Sequence, residues 1–292
     1  MTQDLEGSKR IKALRRAIVQ AIPRFPNNKA SKQAMEAKHL TDLLISYIGW
    51  RLRYVATRRR KVIGHERLAE DKRSAALQTG ISAFLKAVEA GDDLTPYLSL
   101  LPHSQGYTPV ADAGAQGGDS WADKDFLLNV MGLHHFHLGL TKESKGHIAR
   151  TNEVLFASVT RDSFEILGLF DHAAFESDPT TGMTPERQKL WSVFESQQKQ
   201  NALPGQPMIG GYGSIGITLS SHPVSVVLAA QRHVRIMQKI DPKLNDPAYV
   251  KNLYGEAGVP AKPKLCWHYN HLDLGLLDEK ADFFRVLAEG PN

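Results

Sequence analysis

A chain of 292 residues, 42% of them hydrophobic and 23% charged, has the composition of a folded globular protein, which excludes a largely disordered chain. The net charge of +5 is concentrated at the N-terminal end, where residues 1–73 contain 18 Lys and Arg against 7 Asp and Glu, a net of +11 that leaves −6 for the rest. The single cysteine, Cys266, excludes an intramolecular disulfide and a zinc site built from cysteines.

No stretch of the sequence is apolar for long enough to act as a signal peptide or a membrane span. We therefore expect a cytoplasmic protein without a membrane partner.

Residues 1–73 are predicted to form a basic helical region. Apolar residues recur at helical spacing from Lys9 to Ile22, where Pro23 ends the pattern, and again over a long predicted helix from Ser31 to Arg60. The two densest basic clusters are KRIKALRR at residues 9–16 and RRRK at residues 58–61. Such clusters are typical of a polyanion-binding surface and equally of a solvated helix face. If they bind nucleic acid, the candidate residues are Arg58, Arg59, Arg60 and Lys61.

Residues 74–204 are predicted to form a central α+β domain. A helix from Ala75 to Ala90 precedes a loop at 102–119 that is rich in Gly, Ala and Ser. Three apolar runs at 125–139, 151–160 and 163–172 then predict an antiparallel meander whose last turn is Arg161-Asp162. Pairing across that turn sets Val159 opposite Phe164, Ala157 opposite Ile166 and Leu155 opposite Gly168. A helix at 184–200 is expected to pack on the meander.

Residues 205–292 are predicted to hold two helices, at 223–240 and 246–254, and a β-hairpin from the runs 264–277 and 282–287. The spelling GxGxxG at 211–216 matches a dinucleotide-binding loop, but it lacks a strand before it and a helix directly after it, so a plain Gly-rich loop is favoured. The predicted fold class is therefore α+β, with an N-terminal helical region, a central antiparallel meander with flanking helices, and C-terminal helices with a β-hairpin.

The stretch GLHHFHLGL, residues 132–140, places three histidines within four positions of one predicted strand. Strand alternation puts His135 and His137 on one face and His134 with Phe136 on the more apolar face. We therefore expect His134 in the core, and His135 and His137 about 7 Å apart on an open face.

Two further residues are predicted to lie near these histidines. Arg150 precedes the second strand and His172 ends the third, so the hairpin register makes them neighbours. If the first strand pairs beside this hairpin, His135 and His137 join them in one site; otherwise the histidines are separate polar residues at strand ends. The loop at 141–149 adds positive charge at the same edge and contributes two more candidates for nucleic-acid binding, Lys142 and Lys145.

The order of these parts resembles the core of RelE-type toxins, small bacterial ribonucleases built on an antiparallel sheet. The corresponding pieces are the strand GLHHFHLG, the loop to Arg150, the strands EVLFASV and SFEILGLFDH, and the turn Arg161-Asp162 between them. The resemblance covers about 50 of the 292 residues. It implies RNA cleavage without a metal or other cofactor, and an antitoxin or inhibitor protein as a second partner.

On this resemblance Arg150 stabilises the phosphate, His135 or His137 removes the proton of the ribose 2′-hydroxyl, and His172 protonates the leaving oxygen, with the two proton roles exchangeable. Two alternatives stay open. His135, His137 and His172 could bind a metal ion in a hydrolytic centre, or the protein could bind nucleic acid without catalysis.

Overall fold

The computed structural model describes residues 5–99, 101–107, 128, 131–144, 146–176, 178, 180–201 and 222–292. Within these residues the α+β prediction is confirmed, with eight α-helices and two β-sheets. None of the described helices combines the length and the apolar character needed to cross a bilayer. The predicted GxGxxG loop and most of the predicted loop at 102–119 lie outside the described residues.

The elements are numbered here in chain order. The helices are α1 (Lys9–Ala21), α2 (Lys29–Ala37), α3 (Leu40–Arg51), α4 (Glu66–Ala69), α5 (Ser74–Ala90), α6 (Pro185–Asn201), α7 (Val224–Ile240) and α8 (Pro247–Tyr254). The strands are β1 (Lys61–Ile63), β2 (Leu133–His137), β3 (Glu153–Val159), β4 (Ser163–Asp171), β5 (Cys266–Asn270), β6 (Asp273–Asp278) and β7 (Phe283–Ala288).

The chain forms two compact units, each assembled from separated segments. Unit 1 comprises Met1–Leu52, Pro102–Ala122 and Val226–Pro291, and unit 2 comprises Arg53–Leu101, Asp123–Ser225 and Asn292. These units differ from the three consecutive regions predicted, 1–73, 74–204 and 205–292. The reason is that the apolar stripes of α1 and α3 are buried together with the C-terminal strands in one core.

The predicted long helix from Ser31 to Arg60 is wrong, because α2 and α3 are separated at Lys38 and His39, whose backbone is extended. Side chains distant in sequence stabilise this break. Arg15 of α1 donates to the carbonyl of Lys38 at 2.6 Å, and Glu6 accepts from the Leu40 N–H at 3.0 Å. Both helix ends therefore have hydrogen-bond partners that helical periodicity does not reveal.

The predicted C-terminal hairpin is also wrong in one respect, because the sheet of unit 1 has three antiparallel strands in the order β5-β6-β7. The predicted run 264–277 is divided by a turn at His271, which has a φ of 54°. The two halves pair with each other, from Cys266 opposite Leu277 to Asn270 opposite Asp273.

Unit 2 is a four-stranded sheet with helices on both faces. The order is β1-β4-β3-β2, in which β1 runs parallel to β4 and the other pairs are antiparallel. The predicted meander is therefore present, with β1 as an additional strand and β2 shorter than the predicted run at 125–139. On one face Phe84 of α5 contacts Phe136 and Phe164; on the other, α6 packs through Leu190 and Phe194.

The register of the hairpin β3–β4 agrees with the prediction near the turn and differs beyond it. Val159 pairs with Phe164 and Ala157 with Ile166, as predicted. A bulge between Phe156 and Ala157 then shifts the pairing by one residue, so Leu155 lies opposite Leu169 instead of Gly168.

Candidate functional site

The histidines of β2 alternate between the two faces of the sheet. His134 is 4% exposed and lies 6.1 Å from the ring of Phe136, on the face covered by α5. His135 points to the opposite face, where its ring lies 5.8 Å from Phe156 and 4.8 Å from Phe175. The strand alternation therefore distributes these side chains as the sequence predicts.

His137 shares the face of His135, but this face is not open. Only 2% of His137 is exposed, because the short 3₁₀ turn His172–Phe175 that follows β4 lies over it. The rings of His137 and His172 are stacked with centroids 5.9 Å apart, and His135 and His137 meet edge to face at 6.3 Å. The structure thus brings three of the four predicted catalytic residues into one cluster, which we call the histidine cluster: His135, His137 and His172.

Hydrogen bonds assign the proton of His172. Its Nδ1 lies 2.7 Å from the carbonyl oxygen of Asn152, and since a carbonyl only accepts, Nδ1 carries the hydrogen. The Nε2 atom of the neutral ring therefore has a lone pair. His172 is half-buried, and this Nε2 makes no hydrogen bond with any described residue. It is free to exchange a proton with a ligand.

His137 has the opposite tautomer. The backbone N–H of Thr151 donates to its Nδ1 at 3.3 Å, which places the hydrogen of the neutral ring on Nε2. That Nε2–H is buried and has no acceptor within the described part of the chain. Stacked imidazoles of opposite tautomer therefore form the centre of the cluster.

The pKa of His137 is lowered from the ordinary 6.5 to about 3. Burial is the main cause, and the positive charges of Arg150, His135 and His172 add to it. His137 is consequently neutral at physiological pH. So low a pKa disfavours the predicted role of His137 as a base, because an imidazole with little proton affinity near neutrality is a poor proton acceptor.

Acid is expected to destabilise the protein through His137. The unfolded chain binds a proton at this residue near pH 6.5, whereas the folded chain does so only near pH 3, so this contribution to stability is complete above 6.5 and is lost as the pH falls toward 3. The loss reaches about 1.4 kcal/mol per pH unit within that window. Urea unfolding of wild type and His137→Phe between pH 7 and 4 measures it: the variant should show the shallower pH dependence. Equal slopes would contradict the assignment.

The loop after β2 carries exposed cations, of which Arg150 lies near the cluster. Arg150 is close enough for its charge to lower the pKa values of His137 and His147. The side chains of Arg150 and Lys142 are exposed and form no ion pair with described residues. Lys145 lies outside the described residues. We call the two exposed residues Arg150 and Lys142 the positive rim.

The metal alternative is not supported by the geometry. No three His, Cys, Asp or Glu side chains are arranged to hold a metal ion in the portion of the chain that the structure describes. His137 in particular has no lone pair to offer, because Nδ1 accepts from Thr151 and Nε2 bears the hydrogen.

The predicted nucleic-acid-binding run RRRK is divided between surface and interior. Arg59 and Lys61 are exposed, and Arg58 is half-exposed. Arg60 is only 4% exposed, and its guanidinium donates to the carbonyls of Ala56, Arg58 and Thr160. Burial lowers its pKa to about 10. Arg60 therefore crosslinks backbone segments inside unit 2, out of reach of a polyanion.

Unit 2 has a groove of about 760 Å³ between β4, α6 and the α4–α5 connection. Several of its charges are paired, since Asp71 contacts Arg73 at 2.7 Å and Lys189 at 3.7 Å, and Arg67 contacts Glu165 at 3.3 Å. The groove is therefore lined by charges of both signs, and Lys72 is a lining cation outside the ion pairs of the described residues.

This chain matches no protein-family model, no curated protein and no solved structure. The resemblance of residues 132–172 to RelE-type toxins accordingly rests on the order of strands and residue types.

Sequence reasoning missed three residues that contact the histidine cluster: Thr151, Asn152 and Phe175. Thr151 and Asn152 act through backbone groups, for which side-chain chemistry gives no signal. The position of Phe175 could have been predicted from Asp171 in the stretch FDHAAF. The side chain of Asp171 accepts from the Ala173 N–H at 2.8 Å and so begins a turn. An Asp at that position turns the chain back after the strand.

Proposed function

We propose that this protein cleaves RNA at the histidine cluster by a metal-independent acid–base mechanism, as an endoribonuclease of toxin or defence type. The observation that carries the proposal is the hydrogen bond of 2.7 Å from His172 Nδ1 to the Asn152 carbonyl. It orients a half-buried imidazole whose Nε2 is available, in the way that a positioned general base is held by a second group.

The proposed reaction needs two proton carriers and one cation. His172 removes the proton of the ribose 2′-hydroxyl, the resulting oxygen attacks the adjacent phosphorus, and the 5′-oxygen leaves as the 2′,3′-cyclic phosphate forms. His135 is the remaining histidine that can protonate the leaving oxygen. Arg150, exposed and without an ion pair among the described residues, stabilises the extra negative charge on the phosphate. The proton roles of His135 and His172 can be exchanged.

His137 has a different part in this proposal. Because it is neutral and buried beneath His172, it provides a rigid uncharged surface for the reacting ring. A charged imidazole at the same place would repel protonated His172 and hold its proton affinity down. The neutral ring of His137 therefore adds no positive charge beneath the reacting imidazole.

The positive rim supports RNA as the partner, because exposed Arg150 and Lys142 can contact the phosphates that flank the cleaved bond. Exposed Arg59 and Lys61 extend this capacity within unit 2. An inhibitor or antitoxin of the kind that the resemblance implies would need acidic groups to cover Lys142 and Arg150.

Cleavage is expected to continue in excess chelator and to depend on the 2′-hydroxyl. The test uses one end-labelled oligonucleotide as RNA, as DNA, and as RNA with a single 2′-deoxy substitution at the cleaved position. Only the first should be cut, leaving a 2′,3′-cyclic phosphate, because the attacking oxygen comes from the ribose. Cleavage that stops with chelator and returns with zinc or manganese would establish the metal reaction instead. Binding of RNA without any cleavage would favour the non-enzymatic alternative.

A further inference from the structure

The backbone around His172 is held on both sides by the first residues of α6. Thr184 donates from its hydroxyl to the carbonyl of Ala173 at 2.6 Å. Glu186 accepts from the backbone N–H of Asp171 at 3.2 Å through its Oε1. His172 lies between these two backbone groups, so α6 fixes the residue immediately before it and the residue immediately after it.

Both contacts come from the N-terminal end of α6, which is stabilised by capping residues. Thr184 caps the helix, because its hydroxyl accepts from the Arg187 N–H at 3.2 Å and its carbonyl accepts from the Gln188 N–H at 3.0 Å. Pro185 occupies the first helical position, and an acidic residue follows in the first turn. The hydroxyl of Thr184 thus serves the helix as an acceptor and the turn as a donor.

Glu186 is fixed in turn by Arg73. The Nη1 of Arg73 donates to the same Oε1 at 2.6 Å, while its other nitrogens bind Asp71 and the carbonyl of Leu169. Neighbouring carboxylates raise the pKa of Arg73, which remains charged. The charge of Glu186 is therefore balanced by a guanidinium, and its effect on the turn is geometric more than electrostatic.

We infer that Glu186 and Thr184 are positioning residues for the proton transfer at His172. Together they set the backbone from which the imidazole projects, while the Asn152 carbonyl sets the rotation of its ring. This inference rests on the proposed ribonuclease function for its kinetic consequence. The structural part of the inference is that α6 controls the orientation of the His172 ring. This can be measured in the protein without RNA.

The test compares Glu186→Ala with Glu186→Gln in the full-length protein. Glutamine keeps an oxygen that can accept from the Asp171 N–H, whereas alanine does not. We expect Glu186→Ala to lower kcat by about 10-fold with little change in KM, since small displacements of a catalytic group cost rate more than binding. Glu186→Gln should restore most of that rate. Glu195→Ala, an exposed glutamate of the same helix, is the matched control and should behave as wild type.

A second measurement separates this inference from the proposed function. NMR titration of the His172 ring in the same proteins reports its tautomer and its pKa whether or not RNA is cut. We expect Glu186→Ala to lose the fixed Nδ1–H tautomer and to shift the titration midpoint, with Gln restoring both. Thr184→Val, which loses the hydroxyl at similar volume, should act in the same direction, and Thr184→Ser should not.

Three results are decisive. An unaltered His172 titration and pH–rate profile in Glu186→Ala, with only a lower melting temperature, would overturn the positioning role. An altered titration in a protein that never cuts RNA would leave the positioning by α6 standing and overturn the proposed ribonuclease. If Glu186→Ala does not fold, Thr184→Val and Thr184→Ser are compared instead. An equal His172 titration in these two variants would overturn the inference.

Discussion

His172→Ala is expected to lower RNA cleavage by about 10²-fold or more, the usual contribution of a positioned acid or base. The substitution removes a cluster imidazole whose Nδ1 is held by a backbone carbonyl and whose Nε2 keeps a lone pair in the neutral ring. His135→Ala should have an effect of similar size, because a single remaining proton carrier cannot serve both halves of the reaction. Single-turnover rates on a short RNA, measured from pH 5 to 9, test this.

The matched controls for this experiment are the other two histidines of β2. His134→Ala should lower stability and leave the pH dependence of cleavage unchanged, because its side chain faces the core on the opposite side of the sheet. His137→Phe keeps a flat ring beneath His172 and should retain substantial activity. If all these variants cut RNA as wild type does, the reaction does not take place at this cluster. If none of the proteins cuts RNA and the substitutions change only the melting temperature, the histidines serve packing.

Arg60→Ala is expected to reduce the free energy of unfolding by about 2 to 4 kcal/mol, since it leaves three carbonyls in the interior without their donor. Arg59→Ala, one residue earlier and exposed, should change stability by less than about 0.5 kcal/mol. Urea unfolding distinguishes the two. Similar losses at both positions would show that Arg60 is not the structural residue.

The same pair of variants tests which arginine contacts RNA. Replacing Arg59 should reduce the slope of log affinity against log salt concentration by about 0.7 if it meets one phosphate of a single strand. Variants of Arg60 that remain folded should leave the slope unchanged. A reduced slope for Arg60 alone would mean that this guanidinium becomes accessible when RNA binds.

Alternation and turn chemistry were sufficient to predict the local geometry of the central strands. The two-residue turn Arg161-Asp162 placed Val159 opposite Phe164, as the structure has it. The bulge between Phe156 and Ala157 could not be predicted, because an extra residue in one strand is tolerated only where the surrounding core accepts the bend. The register error at Leu155 follows from this.

In the candidate site, too, some features could be predicted from the sequence and others could not. The alternation of β2 is a property of any strand, so the sequence by itself separated His134 from His135 and His137. It could not show that the turn His172–Phe175 covers His137, since this depends on hydrogen bonds between backbone groups of the turn and the side chains of Asp171, Thr184 and Glu186. The low pKa of His137 follows from that covering.

Composition and periodicity therefore determined the α+β class, most helix positions and the faces of the strands. Tertiary structure decided which charged and titratable groups are buried: Arg60 became a crosslink and His137 a neutral ring, although each looks like a surface residue in its local sequence. The physical reason is the distance along the chain over which each effect acts. Backbone preferences act between residues a few positions apart, whereas burial, and with it pKa and accessibility, is set by segments that meet only when the chain has folded.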